Sequence, residues 1–293
     1  SICKEFGVGE KYLHGNIRPG EAGIAMMMKD LYTDFNSPLT NETLLAWHDK
    51  LLNGRTDLER GKYRKSEDDM RVVSGRIDKP KIHFIAPPAS KIPKEMDQFI
   101  SWFNRTAPGG KAPLPPIIRA GITHLYFVTI HPFEDGNGRI ARALTDMILA
   151  RSENSPQRFY SMSTQIQMER KTYYDILETT QKGKLDISDW LEWFLDCLSR
   201  AFEEAETILA EVLQKAAFWE QHGDASLNDR QRKILNRVLD GFEGKLTSSK
   251  WAKLSKCSQD TASRDIDDLL KRGILVKNPG GGRSTSYSLA STV

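Results

Sequence analysis

The chain has 293 residues, 39% hydrophobic and 28% charged, with a formal net charge of +3 at pH 7. This composition is that of a globular protein, and the length allows one large domain or two smaller ones. No run of 18 or more apolar residues occurs, so the sequence predicts no membrane-spanning helix. The first residues also lack the basic start and apolar core of a secretory signal.

Three cysteines, Cys3, Cys197 and Cys257, are far apart in the chain and form no C-x-x-C pair. This usage argues against a disulfide framework and against a zinc site, and it fits a reducing compartment. The sequence therefore predicts a cytoplasmic protein with no membrane partner.

Helical patterns dominate the first part of the chain. Residues 42–54 place leucines at helical spacing and end on Gly54, which suits a C-cap. Residues 70–88 instead alternate β-branched and polar residues and close on two prolines, which predicts a short β-hairpin. The helical pattern returns at residues 91–104, and residues 107–116 form a loop rich in Gly and Pro.

The apolar stretch at residues 117–130 allows two interpretations. It reads as a buried central helix ending near His131, but its β-rich end, LYFVTI, also allows a strand. Residues 135–151 show an amphipathic helical pattern, and further helices are predicted through residue 221.

The composition turns polar near Gly223, which predicts a domain boundary and divides the chain into residues 1–222 and 223–293. In the second part, three short helical patterns precede a closing β-hairpin, which is the order of a winged helix.

From Ser226 onward there are 13 Lys and Arg against 7 Asp and Glu. A basic tail domain indicates nucleic-acid contact, but its expected recognition helix, residues 258–272, carries four Asp against three basic residues. A DNA partner and a protein partner both stay open.

The stretch HPFEDGNGRIARAL, residues 131–144, carries the chemistry of the chain. Gly136, Gly138 and Ala141 satisfy the G-x-G-x-x-G/A pattern of a dinucleotide site, but that site needs a βαβ unit and the following segment stays helical. An ordinary glycine-rich turn before a helix would account for the glycines. It would not account for a histidine, an asparagine and two arginines gathered in the same short stretch.

An anion site accounts for the whole pattern. Gly136 and Gly138 allow positive φ and close backbone approach, so that successive N–H groups can form a nest. The helix that begins there adds its positive end, where phosphate oxygens bind well. Arg139 can bind the same phosphates as a forked donor, and Arg142, three residues on, shares its face of the helix.

Two further side chains suit phosphate chemistry. Asp135 supplies a hard carboxylate, the kind of ligand that Mg²⁺ takes when it also bridges phosphates. His131, at the predicted end of the preceding helix, can accept a proton near neutral pH.

The stretch HPFEDGNGRIAR matches the motif H-x-F-x-[D/E]-G-N-G-R-x-x-R at every specified position, and the chain thereby resembles the Fic family. The resemblance covers roughly residues 9–213 and is greatest to the bacterial subgroup with a C-terminal winged helix. It implies a mainly α fold: a Fic-type helical core with a short β-hairpin flap, followed by the winged helix. It also implies a nucleotidyltransferase, a protein adenylyltransferase that uses ATP and Mg²⁺ to transfer AMP to Ser, Thr or Tyr hydroxyls of target proteins and releases pyrophosphate.

The resemblance also implies residue roles. His131 would deprotonate the target hydroxyl, Phe133 would anchor the loop in the core, and Asp135 would hold Mg²⁺. The residues implied to bind ATP are Asp135, Gly136, Asn137, Gly138, Arg139, Arg142, Tyr173, Tyr174 and Gln181. The flap would align the target peptide by strand addition, with contacts from Ile82, His83, Phe84 and Ile85.

The sequence departs from the family at two places. Family members often have Asn at the position of Gln181, and without the resemblance Tyr173 and Tyr174 would be read as packing residues. Many members also carry an inhibitory helix, [S/T]-x-x-x-E-[G/N], for which the nearest window here is residues 1–6, with Phe6 in place of Gly or Asn. We therefore expect any such segment to lie upstream of Ser1.

A branch of the family that phosphorylates its targets has Lys at the position of Gly138, so glycine there favours transfer of AMP. The competing interpretation is a DNA-binding transcriptional regulator with a nucleotide-sensing Fic core. A homodimer is compatible with either function.

Overall fold

The structure, a computed structural model, describes residues 19–66, 68–76, 79–223, 226–279 and 285–290, without the side chains of residues 74–80. The chain divides into two compact units, residues 1–203 and 204–293. This division falls inside a long helix, earlier in the chain than the boundary at residue 222 that the sequence predicts, and that domain boundary stays a prediction.

The first unit is mainly α. Its helices are α1 (Pro19–Thr33), α2 (Asn41–Leu51), α3 (Ile92–Arg105), α4 (Pro116–Ile130), α5 (Asn137–Glu153), α6 (Met162–Met168), α7 (Arg170–Lys182) and the first part of α8 (Ser188–His222). Between α2 and α3 lies a hairpin of β1 (Arg71–Arg76) and β2 (Lys79–Ile85), followed by a 3₁₀ turn at Ala89–Lys91.

Local sequence explains where the helices begin and end. Thr40 caps α2 by accepting a hydrogen bond from the backbone N–H of Thr43 at 3.2 Å. The sequence predicts that this helix ends at Gly54, but it ends at Leu51. Gly54 has φ 85° in the turn that follows. Prolines lie in the first turn of α3 and α4, where a missing backbone N–H has no cost.

The apolar stretch between the loop at 107–116 and His131 is the central helix α4, and a strand is excluded. Most of its side chains are buried, among them Ala120, His124 and Phe127, each 0% exposed. The half-buried stripe of Ile118, Ile122, Tyr126 and Thr129 is also largely apolar. A helix without a polar stripe has no clear amphipathic period, and this is why its sequence could not distinguish it from a buried strand. It packs most extensively on α5.

The hairpin is antiparallel and contains a β-bulge. Val72 pairs with Phe84, and the next residue, Val73, pairs with Ile82, so His83 lacks a partner residue across the pair. A bulge bends a strand and changes the direction of a side chain.

The second unit has its own hydrophobic core, which includes Trp251, Ile266 and Leu275. Its elements are α9 (Asp229–Leu239), α10 (Ser248–Ser255), α11 (Gln259–Lys271), and the antiparallel strands β3 (Leu275–Lys277) and β4 (Tyr287–Leu289). An isolated bridge joins Leu246 to Tyr287. The order of elements is the predicted one, although residues 280–284, between the strands, lie outside the described part. The winged-helix assignment stays a prediction.

No helix in the described part of the chain is both long enough and apolar enough to cross a membrane.

Candidate active site

The predicted motif forms a short loop between α4 and α5, with a left-handed residue at each end. His131 has φ 51° and ψ 57° at the C-terminus of α4, and Gly136 has φ 89° immediately before α5. A Cβ at Gly136 would lie 2.8 Å from Leu51 Cδ2, so another residue there would have to displace the Leu51 side chain in addition to being strained at this φ. The positive φ expected at Gly138 is absent, because Gly138 already belongs to the first turn of α5.

Asn137 fixes the interior of the loop. Its Oδ1 accepts a hydrogen bond from the backbone N–H of Phe133 at 3.0 Å, and its Nδ2 donates to the Phe133 carbonyl at 2.7 Å. Both side chains are buried. The Asn137 amide is therefore engaged with the loop, and what Asn137 can offer an anion is its backbone N–H at the start of α5.

His48, from α2, packs against the same loop and contacts both Phe133 and Asp135. Its ring stacks on Phe133, with centroids 4.0 Å apart and 11° between the planes. The Gly61 N–H donates to Nδ1 at 3.0 Å, which makes Nδ1 an acceptor and leaves Nε2–H to donate to the Asp135 carbonyl at 3.2 Å. Burial lowers the pKa of His48, consistent with a neutral ring. His48 was not among the site residues predicted from the sequence.

His131 is placed to act as a base. Its Nδ1 lies 3.2 Å from the Val128 carbonyl, and a donated hydrogen bond there puts the proton on Nδ1 and leaves the Nε2 lone pair available. Burial, aided by the nearby Arg64 guanidinium, lowers the pKa of His131 to about 4, against the opposing effects of the Val128 carbonyl and Asp135. The ring is therefore neutral at pH 7.

Asp135 carries the carboxylate predicted to hold a metal. Its Oδ1 accepts the Gly136 N–H at 2.6 Å, and its Oδ2 lies 3.1 Å from Arg139 Nη2 and 3.5 Å from Arg55 Nη1. In the described part of the chain, no group of three or more His, Cys, Asp or Glu side chains could hold a metal ion. The single carboxylate suits Mg²⁺ only where phosphate oxygens supply further ligands, as Mg²⁺ commonly binds in nucleotide sites.

Arg142 lies one helical turn beyond the loop. Among the described residues its guanidinium has no hydrogen bond or ion pair, and it lines two cavities. A Cβ at Gly138 would lie 3.5 Å from Arg142 Nη1, which is an ordinary contact. Gly138 therefore leaves space beside the Arg142 guanidinium that a larger side chain would fill.

One cavity brings together many of the predicted site residues. Its lining includes His131, Gly138, Arg142, Tyr173, Tyr174 and Gln181, together with Val72, His83, Val128, Leu177 and Glu178. The Gln181 amide donates to Thr129 Oγ1 at 3.0 Å, which orients it at the cavity wall. Tyr173, 5% exposed, lies at the edge of the core.

A chain of neutral polar groups extends from the cavity into the core. Tyr173 Oη lies 3.0 Å from His124 Nε2, and His124 Nδ1 lies 3.3 Å from Thr145 Oγ1, which donates onward to the Ala141 carbonyl at 3.0 Å. Since the Thr145 proton is used, His124 donates from Nδ1 and accepts from Tyr173. Burial lowers the pKa of His124 to about 3.

The hairpin is fastened to α7 through Glu178. His83 Nδ1 lies 2.6 Å from Glu178 Oε2, and Lys81 Nζ lies 3.0 Å from the same oxygen. Hydrogen bonds from Lys182 first, and then from Lys81 and His83, lower the pKa of Glu178 to about 2. His83 also stacks on Tyr174, with centroids 5.7 Å apart.

The four residues predicted to contact a target peptide do not share one face. The bulge turns His83 inward, where it is 5% exposed, whereas Ile82 and Ile85 are 40% and 52% exposed. Phe84 is half-buried. Sequence pattern could not show this division, because a strand without a bulge would place residues 82 and 84 on one face and 83 and 85 on the other.

Residues 38–149 match the profile of the Fic/DOC family, and this region contains the loop, all of α4 and most of α5. The chain carries a Fic/DOC-family domain. Residues 1–6, the window nearest to the inhibitory-helix pattern although it does not match it, lie outside the described residues.

Relatives and solved structures agree with the Fic domain. The chain is 30% identical over 168 residues to a protein adenylyltransferase Fic of Nematostella vectensis, covering 56% of this chain and 34% of that protein. It is 26% identical over 172 residues to protein adenylyltransferase fic-1 of Caenorhabditis elegans, covering 59% and 30%. The chain thus spans about a third of the length of these curated relatives.

Two solved structures share the fold. A Fic family protein from Desulfovibrio desulfuricans G20 aligns over 100% of this chain and 81% of its own, with a TM-score of 0.51 and 21% identity. A Fic domain containing signaling protein from Bacteroides thetaiotaomicron VPI-5482 aligns over 70% of this chain and 77% of its own, with a TM-score of 0.53 and 22% identity.

Proposed function

We propose that this chain is a protein adenylyltransferase, which transfers AMP from ATP to a Ser, Thr or Tyr hydroxyl of a target protein. The observation that carries the proposal is that one cavity is lined by a neutral histidine, His131, and by an arginine without a partner among the described residues, Arg142. The N-terminus of α5 lies between them in the chain. The names of the curated relatives support the same activity.

In the proposed reaction, His131 Nε2 accepts the proton of the target hydroxyl. The hydroxyl oxygen forms a bond to the α-phosphorus of ATP, the bond from that phosphorus to the bridging oxygen breaks, and pyrophosphate leaves. The free N–H groups at the start of α5 would bind the phosphates, and Arg139 and Arg142 would neutralise the charge on the leaving group. A general base supplies about 10²–10⁴ in rate, so positioning and charge neutralisation must supply more.

Mg²⁺ is proposed as the metal, with Asp135 as its protein ligand. When bound, the ion would neutralise phosphate charge. Asp135 is 43% exposed at its side chain, and it can exchange its contacts with Arg55 and Arg139 for the ion without any change to the buried loop.

The ribose and base of ATP are proposed to occupy the far end of the cavity. Tyr174 offers a ring face and Gln181 an oriented amide, while Tyr173 supports them from the core. The target peptide is proposed to add to the flap, with contacts from Ile82, Phe84 and Ile85. His83 would act from the inner face.

We propose a winged helix for the second unit, supported by the three helices and the antiparallel pair. Asp265, on α11, is paired with Arg230, at 2.9 Å, and the acidic character of this helix favours a protein partner over DNA. A duplex-DNA binding assay across a salt series tests this choice, because phosphate contacts require steep salt dependence. The free thiols Cys197 and Cys257 are consistent with a cytoplasmic location.

The decisive experiment is incubation of the protein with lysate, Mg²⁺ and ATP labelled at either the α- or the γ-phosphate. Label from the α-phosphate on protein is expected. Label only from the γ-phosphate would mean a kinase, and no label from either position would reject the proposed activity for this chain.

A further inference from the structure

Arg64 lies between the loop and the base of the flap. It is 5% exposed. Its Nε donates to the His131 carbonyl at 2.8 Å, its Nη2 donates to the Pro87 carbonyl, and its backbone N–H donates to the Pro132 carbonyl at 2.9 Å. One residue thus contacts both the candidate base and the chain that leaves the hairpin.

The acceptors of the Arg64 guanidinium in the described residues are backbone carbonyls and not carboxylates. Burial accordingly lowers the pKa of Arg64. Placing an arginine in the interior without a carboxylate is costly, and an apolar side chain of similar volume often replaces such a group without loss of stability. Stability alone is therefore a poor explanation for an arginine here.

The two carbonyls belong to segments that need a fixed position. His131 adopts a left-handed conformation, which is unfavourable for a residue other than glycine and persists only when surrounding contacts hold it. Pro87 follows the base of the hairpin, which is closed by the Ala86 N–H donating to the Met70 carbonyl at 2.9 Å. Arg64 joins the two through a single rigid, planar group.

We propose that Arg64 is a positioning residue for AMP transfer, which fixes the backbone of His131 relative to the base of the flap. A target strand aligned on the flap would then present its hydroxyl at a constant distance from the base. The reaction named here rests on the proposed function, whereas the two-carbonyl contact does not.

Two substitutions separate geometry from charge. Arg64→Met keeps the apolar stem and removes the donors, and Arg64→Lys keeps the charge but has no planar fork to reach both carbonyls. The matched controls are Arg119→Met and Arg119→Lys. Arg119 is 0% exposed and donates to the Phe103 carbonyl at 2.7 Å, so it shares the burial and the carbonyl contact but does not touch His131.

We expect Arg64→Met to lower the kcat of transfer by about 10²-fold while the KM for ATP changes less than about threefold, since misplacement by 1 Å can have that effect on rate. Arg64→Lys should recover part of kcat. The Arg119 variants should lose stability but keep the kcat of the folded fraction. The inference is overturned if Arg64→Met keeps the wild-type kcat, or if Arg119 variants lose kcat equally.

A readout that does not depend on activity is the NMR titration of the His131 ring. Among the described residues, the charged groups that act on this ring are Arg64, which favours the neutral form, and Asp135, which favours the charged form. Arg64→Met should therefore raise the pKa of His131 and shift its resonances, Arg64→Lys should shift the resonances with a smaller change in pKa, and the Arg119 variants should do neither.

If the wild type transfers no AMP, the proposed function fails, and the titration still decides the role of Arg64. A wild-type His131 spectrum in both Arg64 variants would reject that role. If Arg64→Met does not fold, the comparison of Arg64→Lys with Arg119→Lys carries the test.

Discussion

Asn137 and Phe133 are joined by two reciprocal hydrogen bonds, of 3.0 and 2.7 Å, that close the loop on itself. Asn137→Ala would leave two buried backbone groups unpaired, and we expect the free energy of unfolding to fall by about 2–4 kcal/mol. Asn104 is a matched control, because it makes the same pair of bonds with the backbone of Leu39, at 2.9 and 2.8 Å. Urea denaturation should show similar losses in both variants, and only Asn137→Ala should also slow transfer by the folded protein.

Gly136 and Gly138 should differ sharply in their response to a methyl group. Gly136→Ala meets Leu51 at 2.8 Å in a left-handed conformation and should cost at least about 1–3 kcal/mol of stability. Gly138→Ala makes only an ordinary contact with Arg142 and should fold normally. Gly138→Val should displace the Arg142 guanidinium and raise the KM for ATP, and full activity in Gly138→Val would contradict the proposed phosphate position.

His131→Ala should abolish transfer and leave ATP affinity within a few-fold, because His131 is proposed to face the target hydroxyl and not the phosphates. His131→Asn is the second variant, since asparagine tolerates the left-handed conformation better than most residues. Calorimetric titration with ATP separates the two effects. Loss of ATP binding by a folded His131→Asn would show that the division of roles is wrong.

Arg142→Ala should weaken ATP binding and leave the free energy of unfolding within about 0.5 kcal/mol, because a side chain without a partner among the described residues contributes little to folding. Arg151→Ala is the contrasting variant. Arg151 donates to the carbonyls of Phe35 and Ser37, so its removal should reduce stability without an effect on ATP affinity. Destabilisation by Arg142→Ala comparable to that of Arg151→Ala would contradict this expectation.

His124 should make stability depend on pH. Its pKa is lowered from 6.5 to about 3, so between these values the unfolded chain binds a proton that the folded chain does not. The stabilisation is complete above pH 6.5 and is lost as the pH falls towards 3, at up to about 1.4 kcal/mol per pH unit. His124→Gln, which does not titrate, isolates this effect from those of His48 and His131. The wild-type advantage over His124→Gln, measured by urea denaturation at pH 7 and pH 5, should shrink at the lower pH.

Short-range patterns predicted much of this molecule. The motif from His131 to Arg142 was correctly located on a turn that leads into a helix, since its glycines, charges and spacing are all local properties. The segment before it was left open between a helix and a strand. The hairpin was predicted from alternation and flanking prolines. The inward turn of His83 was not, because a bulge depends on the pairing of two strands and leaves no sign in one of them.

The contacts that hold the loop and the hairpin could not be predicted from the sequence. Arg64 meets His131 across 67 positions, His48 meets Asp135 across 87, and His83 meets Glu178 across 95. Such pairs are formed by packing of the whole unit, and a lone buried arginine or histidine looks the same in a sequence whether it serves a core or a site.

The two left-handed residues and the Asn137 bonds also determine the length of the loop. Each added residue turns an α-helix by about 100° about its axis. An insertion between Phe133 and Asn137 would therefore either break the reciprocal bonds or rotate Arg139 and Arg142 away from the cavity. Deletion of a residue between Phe133 and Asn137 would rotate the helix in the opposite direction and would also break the reciprocal bonds or move the two arginines away from the cavity. Natural variants of this fold should thus change length at other loops and keep this one invariant, so that a gap placed here in an alignment marks a protein that has lost the chemistry.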